Sequence, residues 1–465
     1  MLIGATKTDG TNTLKRPFVP EKFKFGNSAS KRTRNTQFDR VVPSNEIVKS
    51  KGNKRHSIRG SVSAMRTTNP IRSVVDKLDL TQANPEFPVI SLSLGDPTVH
   101  FKTHPIVTHA LTEAVESYSA NGYPPMIGLH KARNAVAEYH TRMGKNVTFE
   151  ADDVIMTNGC SQAIQLSLSA LADAGIHNVL IPNPGFSLYK SICTNLGVEA
   201  REYELDESNG WELDLESIQK SIDDNTVAII LTSPSNPTGA VHSIRSVTKL
   251  LEICEQNGIV LIADEIYYGH VFQSIEWKSV AEINSQLEHS AAVLCLGGLS
   301  KRFLVPGWCL GWILIHDPTN MLGEVRIALE KVSSLMVGPS GPTQDALPRI
   351  LKEVPESWHL ELISQLEQNA MFCYEQVKKN PVLSAIKPQG SMFMLIRIEF
   401  ERLLDISDSV AFANGLFQEK SVVVLPGECF GSTYHFRISY TAPIHTLQEA
   451  FNRIHHFCLD HSRKY

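Results

Sequence analysis

A lysine that follows a buried strand is the residue of this chain best suited to covalent chemistry. Lys301 comes shortly after the apolar run 291–296, which predicts a strand in the protein interior. An amine held against apolar surroundings loses charge stabilisation, so its pKa falls and the neutral amine can condense with a carbonyl group. Taken alone, such a residue is also typical of a surface lysine whose stem packs on apolar groups. The residues around Lys301 must decide between these interpretations.

Four other apolar runs also end in residues suited to ligand binding. The runs and the residues that follow them are 154–156 with Asn158-Gly159-Cys160-Ser161, 178–181 with Pro184-Gly185-Phe186, 226–232 with Ser235-Asn236-Pro237-Thr238-Gly239, and 259–263 with Asp264-Glu265-Ile266-Tyr267. Helical patterns at 162–172 and 244–256 separate some of them. This alternation predicts an α/β protein with a largely parallel sheet between helices. Because ligands bind beyond the carboxyl ends of such strands, we expect these groups to gather around Lys301.

The residue types in these groups suit pyridoxal phosphate, which needs an imine-forming lysine, an acid beside its ring nitrogen, a phosphate cradle and a stacking surface. Asp264 could keep the ring nitrogen protonated, although a single Asp is also common as a helix N-cap. Tyr267 and Asn236 could donate hydrogen bonds to the ring phenolate. The segment around Asn236 is by itself only a favourable turn sequence.

Phosphate and substrate binding are suggested by weaker signals. Gly159, Cys160 and Ser161 lie between a strand and a helix, where free N–H groups and the helix dipole attract phosphate, although many such turns look alike. Phe186 could stack on the ring, but an isolated Phe is more often part of a core. Arg437, in a strand-like segment, could bind a substrate carboxylate through two hydrogen bonds or could be a surface arginine at a strand edge.

Together these motifs resemble the pyridoxal phosphate-dependent aminotransferases of the aspartate aminotransferase fold, also called fold type I. Within that family the resemblance is greatest to the tyrosine aminotransferases. It extends from about residue 68 to 456, and the resembling segments are residues 69–72, 91–98, 121–123, 159–164, 184–189, 235–239, 263–267, 300–301, 305–308 and 311–317. The resemblance implies a large domain with a mostly parallel mixed sheet between helices, and a smaller α+β domain.

The resemblance also implies a role for each matching residue. The catalytic residues would be Lys301, which forms the Schiff base and moves a proton, Asp264 at the ring nitrogen, and Tyr267 at the phenolate. The cofactor-binding set would be Gly159, Cys160, Ser161, Phe186, Asn236, Asp264, Tyr267, Ser300, Lys301 and Tyr123, the last reaching the phosphate of a neighbouring subunit. The substrate-binding set would be Gly95, on a segment that closes over the substrate, Asn236, and Arg437 at the α-carboxylate.

The activity implied by the resemblance is transamination of an aromatic L-amino acid, L-tyrosine above all, with 2-oxoglutarate. The products would be 4-hydroxyphenylpyruvate and L-glutamate, a reaction of amino-acid catabolism, and the protein would be a homodimer with shared sites. Two alternatives remain open. The first is a C–S lyase on the same scaffold, and the second is a non-catalytic homologue that binds the cofactor poorly.

The chain departs from the family pattern at Cys309. Eight residues after Lys301, where the family has an arginine that binds the phosphate, this chain has a cysteine. A neutral thiol removes a charge-assisted contact worth ~1.5–3 kcal/mol. Arg302 is the nearest substitute charge, but we expect a residue adjacent to the lysine to point elsewhere. The sequence therefore predicts weakened cofactor retention.

The charge distribution divides the chain into a basic tail and an acidic body. Residues 1–60 contain 14 Lys+Arg and 4 Asp+Glu, within a chain of 465 residues whose net charge is -5. This composition predicts a disordered tail; its basic run 31–34 could contact nucleic acid, but a solvated tail is the favoured interpretation. We predict an N-terminal segment (61–105) that joins the small domain, a large cofactor-binding domain (106–343) and a small C-terminal domain (344–465) with strands at 391–398 and 422–425.

Composition argues against several other classes of protein. The sequence has no apolar stretch of the roughly 20 residues that a membrane span needs, so we expect no membrane partner. Eight scattered cysteines without a CxxC pair favour neither a metal site nor a disulfide scaffold. A cytoplasmic location is therefore expected; a mitochondrial one is less favoured because acidic residues interrupt the basic N-terminus.

Overall fold

The computed structural model describes residues 59–144 and 146–463. The prediction of a disordered tail, with its basic run, falls almost entirely outside these residues. The α-helices are α1 (Val62–Arg66), α2 (Pro70–Val75), α3 (Pro105–Glu116), α4 (His130–Met143), α5 (Gly159–Leu171), α6 (Leu188–Leu196), α7 (Leu215–Ser221), α8 (Ile244–Asn257), α9 (Val280–Asn284), α10 (Gly323–Ser333), α11 (Gly341–Glu353), α12 (Glu356–Lys378), α13 (Ser409–Lys420) and α14 (Ile444–Asp460). The strands are β1 (Ile90–Ser91), β2 (Val154–Thr157), β3 (Asn178–Asn183), β4 (Glu199–Asp206), β5 (Glu212–Leu213), β6 (Thr226–Thr232), β7 (Val260–Asp264), β8 (Val293–Gly298), β9 (Gly311–His316), β10 (Leu383–Ala385), β11 (Phe393–Ile398), β12 (Val422–Val423), β13 (Leu425–Pro426) and β14 (His435–Ser439).

Helix α8 shows how local sequence sets the ends of an element. The hydroxyl of Ser243 accepts a hydrogen bond from the N–H of Ser246 at 3.1 Å and caps the start of the helix. At the other end Gly258 adopts a φ of +63°, which glycine allows without steric cost. The buried residues between these ends recur at helical spacing and are Val247, Leu250, Leu251, Ile253 and Cys254. One apolar face therefore fixes this helix against the sheet.

The main sheet has eight strands in the order β2-β9-β8-β7-β6-β3-β4-β5. Strands β8, β7, β6, β3 and β4 are parallel to one another. Strand β9 is antiparallel to both β8 and β2, so β2 points in the same direction as the parallel group. The five predicted clusters therefore lie at one edge of the sheet, and the prediction of an α/β fold with a mostly parallel mixed sheet is confirmed.

The central strands of the main sheet are buried on both faces. Along β7, Leu261 and Ala263 contribute to one hydrophobic core, whereas Val260 and Ile262 contribute to another on the opposite side. Alternate side chains of a strand point to opposite faces, so a strand covered on both sides reads as a continuous apolar run. This is why the central strands were recognisable in the sequence.

A second group of strands belongs to the C-terminal part of the chain. Strands β10, β11, β14 and β13 form an antiparallel sheet in that order, and β1 pairs with β12 in parallel. The predicted single strand at 422–425 is therefore wrong in detail. It is two short strands, and β12 pairs with the N-terminal segment whereas β13 pairs with β14.

The predicted domain change at residue 344 falls inside α11. Leu347 and Ile350 of this helix are buried in a core that also contains Leu261 of the main sheet. We propose that the change of domain comes after Glu353 rather than before residue 344; the other boundaries stay predictions.

No helix in residues 59–144 and 146–463 is long and apolar enough to cross a membrane.

Candidate active site

Lys301 lies in the turn that follows β8, at the edge where the parallel strands end. Its amine donates a hydrogen bond to the backbone oxygen of Gly95. Burial lowers the pKa of Lys301 to about 8; Asp96 opposes this change, and Arg437 adds to it. An amine with this pKa is partly neutral near pH 7 to 8, so it is a competent nucleophile and proton carrier.

Asp264 is the last residue of β7 and is 3% exposed. Its carboxylate accepts hydrogen bonds from the hydroxyl of Tyr189 at 2.6 Å, the thiol of Cys160 at 3.5 Å and the N–H of Ile266 at 3.2 Å. Burial raises the pKa of Asp264, while these hydrogen bonds oppose the rise. Among the described residues no cation forms an ion pair with it. A protonated ring nitrogen would supply the missing positive partner.

Tyr189 is a site residue that sequence reasoning missed. It lies on the buried face of α6, and its hydroxyl also contacts that of Thr232 at the end of β6 at 2.6 Å. Its ring meets that of Phe186 edge-on, with centroids 5.6 Å apart. Burial raises the pKa of Tyr189, so its hydroxyl stays protonated and donates to Asp264. The only signal in the sequence was its place in segment 184–189.

Arg437 is on β14 and is 2% exposed. Its two Nη groups donate to the side-chain oxygen of Asn236 and to the backbone oxygen of Ser93, both at 2.8 Å. Its Nε is buried without a hydrogen-bond partner. No acidic side chain among the described residues forms an ion pair with it, and burial lowers the pKa of Arg437 to about 10. A buried cation with a free donor suits a carboxylate ligand.

Phe393 packs against three of the predicted site residues, Arg437, Tyr267 and Gly95, and was not identified from the sequence. Its ring lies 4.0 Å from the guanidinium carbon of Arg437 and 5.9 Å from the ring of Tyr267. A Cβ built on Gly95 would come within 2.8 Å of it, so glycine is required for this close approach. Because Phe393 is an apolar residue of a buried strand, nothing in the sequence distinguished it from ordinary core.

Asn236 and Tyr267 are both buried. The amide oxygen of Asn236 is used by Arg437, which leaves its NH₂ group for another acceptor. The hydroxyl of Tyr267 has no hydrogen-bond partner among the described residues, and burial raises the pKa of Tyr267. Each residue can therefore donate to an oxygen placed near it.

The predicted phosphate cradle is the first turn of α5, which begins at Gly159 rather than at residue 162. The N–H groups of this turn have no partners within the helix, and Gly159 has a φ of +72°. A Cβ built on Gly159 would lie 3.8 Å from the Cα of Cys309. The cradle and the position of the anomalous cysteine are therefore neighbours.

Arg302 does not replace the missing phosphate arginine. Its Nη2 donates to both carboxylate oxygens of Glu356 at 2.7 Å, and its Nε donates to the hydroxyl of Tyr139 at 2.7 Å. The guanidinium is 3% exposed and its donors are committed to these groups. Cys309 is exposed, and its thiol donates a hydrogen bond to the backbone oxygen of Pro306 at 3.7 Å.

The remaining predicted residues occupy more open positions. Phe186 and Ser300 are half-buried, and Ser161 is exposed at the start of α5. Tyr123 is 88% exposed. The structure thus brings Lys301, Asp264 and the cradle to the same end of the main sheet, whereas the role of Tyr123 stays a prediction.

The residues present suit pyridoxal phosphate at its ring but only in part at its phosphate. Asp264 is a buried carboxylate that lacks a cation, Lys301 is an amine of lowered pKa, and Asn236 and Tyr267 have free donors. The first turn of α5 offers N–H groups to the phosphate, but position 309 supplies no positive charge.

Comparisons with known proteins agree with this chemistry. The model of the family "Aminotransferase class I and II" matches residues 88–454. Tyrosine aminotransferase of Mus musculus is 40% identical over 417 residues, which are 89% of this chain and 90% of that protein. The crystal structure of tyrosine aminotransferase from Leishmania infantum has a TM-score of 0.82 at 33% identity, covering 88% of this chain and all of that one. Alanine aminotransferase from Pyrococcus furiosus has a TM-score of 0.80 at 29% identity, covering 86% of this chain.

Family models, relatives and solved structures thus agree over nearly the whole described chain. The range matched by the family model includes the strand ends that carry Lys301, Asp264 and the first turn of α5. The chain therefore belongs to the class I and II aminotransferases and is a pyridoxal phosphate-dependent enzyme of fold type I.

Proposed function

We propose that this enzyme transfers the amino group of an aromatic L-amino acid, L-tyrosine above all, to 2-oxoglutarate. The products are 4-hydroxyphenylpyruvate and L-glutamate. The observation that supports this proposal most is the pair of buried, uncompensated charges at the site, the carboxylate of Asp264 and the guanidinium of Arg437. The first suits a ring cation and the second suits an amino-acid carboxylate. The choice of tyrosine rests on the relatives of that name.

When bound, pyridoxal phosphate supplies a carbonyl that takes up the amino group and a ring that accepts electrons from the substrate Cα. Asp264 would hold the proton on the ring nitrogen, and Tyr267 and Asn236 would donate to the ring oxygen. Phe186 would provide an aromatic surface for the ring. The phosphate would be held by N–H and hydroxyl donors of Gly159, Cys160, Ser161 and Ser300.

Lys301 moves the proton in this proposal. Its Nζ is the group that would hold the cofactor covalently. As a neutral amine it would also take up the proton that leaves the substrate Cα and release it again. A pKa of about 8 suits a group that must both accept and release a proton near neutral pH.

Arg437 and Gly95 orient the substrate. The free Nε of Arg437, together with an Nη, can bind the α-carboxylate, while Asn236 fixes the other Nη. Gly95 lies against Lys301 and Phe393, and its segment would limit the access of water to the site. In this proposal these contacts would hold the α-carboxylate so that the substrate amine lies near Lys301.

We also propose that the enzyme is a homodimer in which Tyr123 reaches the phosphate of the neighbouring subunit. An exposed apolar patch supports this proposal. Its residues are Tyr123 and Met126 in one segment and Leu335, Met336 and Val337 in another. The two segments are adjacent, since a Cβ built on Gly338 would lie 3.7 Å from the backbone oxygen of Met126. The sulfur of Met336 lies 3.2 Å from the side-chain nitrogen of Gln162 in the first turns of α5, so the patch adjoins the phosphate cradle. A second copy would cover the patch and complete the site.

We propose a cytoplasmic location, supported by eight cysteines that are all free.

Absorbance spectroscopy with sequential substrates tests the proposed function. Addition of L-tyrosine to the cofactor-loaded enzyme should convert the pyridoxal form to pyridoxamine phosphate, and 2-oxoglutarate should restore the first spectrum. A C–S lyase would instead produce pyruvate, ammonia and a thiol from cystine. If no amino acid changed the spectrum, the proposal of a transaminase would be wrong.

A further inference from the structure

Glu207 joins the main sheet to the four-stranded sheet through both of its carboxylate oxygens. It begins the turn after β4, at the end of the main sheet. One oxygen lies 2.9 Å from Nε2 of His435 on β14, and the other accepts from Nη1 of Arg397 on β11 at 2.9 Å. In the described part of the chain, the ion pairs between the main sheet and the four-stranded sheet are these two.

His435 is held in a single orientation by its surroundings. It is 3% exposed, and its Nδ1 contacts the hydroxyl of Ser432 at 2.7 Å. Its ring also meets that of Trp211 edge-on, with centroids 5.4 Å apart. Arg397 is the cross-strand partner of His435 in the β11–β14 ladder. Glu207 therefore binds two adjacent positions of that ladder at once.

Position along β14 connects this cluster with the substrate site. His435 and Arg437 are two residues apart on one strand, so their side chains leave the same face. Arg437 must reach Asn236, which follows β6 of the main sheet, at 2.8 Å. The distance between β14 and the main sheet thus determines whether the guanidinium is correctly placed.

We propose that Glu207 is a positioning residue, which fixes β14 against the main sheet so that Arg437 is held ready for the substrate carboxylate. This inference rests on the proposed function, in which Arg437 binds that carboxylate. Burial raises the pKa of Glu207, but hydrogen bonds and charges from His435 and Arg397 outweigh this effect and leave the pKa below its ordinary value. Glu207 is consequently ionised at neutral pH.

Two inhibitors can separate positioning of Arg437 from general damage. 3-(4-Hydroxyphenyl)propanoate has a carboxylate and an aromatic ring but no amine, whereas 4-methylphenol lacks the carboxylate. In Glu207→Gln the inhibition constant of the first compound should rise about five- to tenfold, as expected for an indirect effect. That of the second should not change. KM for tyrosine should rise in parallel with the first compound, with little change in kcat.

Glu202→Gln is the matched control. Glu202 is on β4, the strand that Glu207 follows. It pairs with Lys190 at 2.7 Å and has a side-chain exposure of 35% against 33% for Glu207. It makes no ion pair with the four-stranded sheet, so both inhibition constants should be unchanged. Arg397→Gln removes the ion pair between Arg397 and Glu207 from the β11 side. This variant replaces Glu207→Gln in the experiment if Glu207→Gln fails to fold.

The outcomes are distinct from a failure of the proposed function. If the unchanged enzyme does not transaminate tyrosine, the proposed function fails first. If it does, and the Glu207→Gln enzyme binds both inhibitors as before, or loses both equally, Glu207 does not position Arg437. A selective loss of carboxylate binding supports the inference.

Discussion

Cofactor affinity should increase when Cys309 is replaced by arginine. Position 309 adjoins the phosphate cradle, because its Cα lies 3.8 Å from a Cβ built on Gly159. Cys309 already adopts a φ of 50°, so another non-glycine residue adds little backbone strain there. Arg302 cannot compensate, since its donors are bound to Glu356 and Tyr139.

The magnitude follows from the missing contact. A charge-assisted hydrogen bond contributes ~1.5–3 kcal/mol, and each ~1.4 kcal/mol changes a dissociation constant tenfold. Cys309→Arg should therefore bind pyridoxal phosphate about ten- to a hundredfold more tightly than the unchanged chain. The two proteins should bind pyridoxal, which lacks the phosphate, equally well.

Equilibrium dialysis of the cofactor-free proteins against each compound measures this difference directly. Cys309→Ser serves as the control, because it changes the side chain without adding charge, and its affinities should match those of the unchanged chain. Equal affinities of the Arg and Cys proteins for pyridoxal phosphate would refute the reasoning. An equal gain for pyridoxal would also refute it, because the added charge would then not act on the phosphate.

Three further predictions follow from burial and charge at named residues. In the cofactor-free chain, borohydride should trap pyridoxal phosphate on Lys301 faster as the pH rises through about 8, because the amine is protonated below its pKa. A trapping rate whose pH midpoint lay near the pKa of an ordinary lysine would contradict this. Asp264→Asn removes the negative partner of the ring nitrogen and should lower kcat about a hundred- to a thousandfold. A decrease of less than tenfold in the half-reaction rate, measured by stopped flow, would be inconsistent with that role. Leu261→Ala, at a fully buried position of β7, should destabilise the fold by about 2–5 kcal/mol in denaturant unfolding, while Leu360→Ala at a 59% exposed position should change stability by less than about 0.5 kcal/mol.

Much of the fold was predictable because the central strands of the main sheet are buried on both faces. Strands β6 and β7 read as continuous apolar runs, and their ends were predicted to within about a residue. The order of the strands was not predictable. Strand β9 lies between β2 and β8 and reverses direction, which depends on long-range pairing rather than on local pattern. The split of 422–425 between two sheets has the same cause.

In the candidate site, too, some residues could be identified from local sequence and others could not. Asp264 was found because a charged residue at the end of an apolar strand is conspicuous, and Arg437 was found because an arginine is unusual within a strand-like segment. Tyr189 and Phe393 were not found, because an aromatic residue in a helix or strand is usually core. What they contact depends on how α6 and β11 pack against the site.

Sequence by itself indicated the chemistry of this enzyme. It predicted an amine and an acid at strand ends that parallel topology brings together, donors for the ring oxygen, and an arginine in a strand-like segment that could bind a carboxylate. It also identified the anomaly at Cys309. Tertiary structure alone decided that Arg302 is bound to Glu356, that Asp264 receives the hydroxyl of Tyr189, and that Glu207 joins β14 to the main sheet. Local pattern fixes which residues lie at an edge, but contacts between distant segments arise only when the helices and sheets pack.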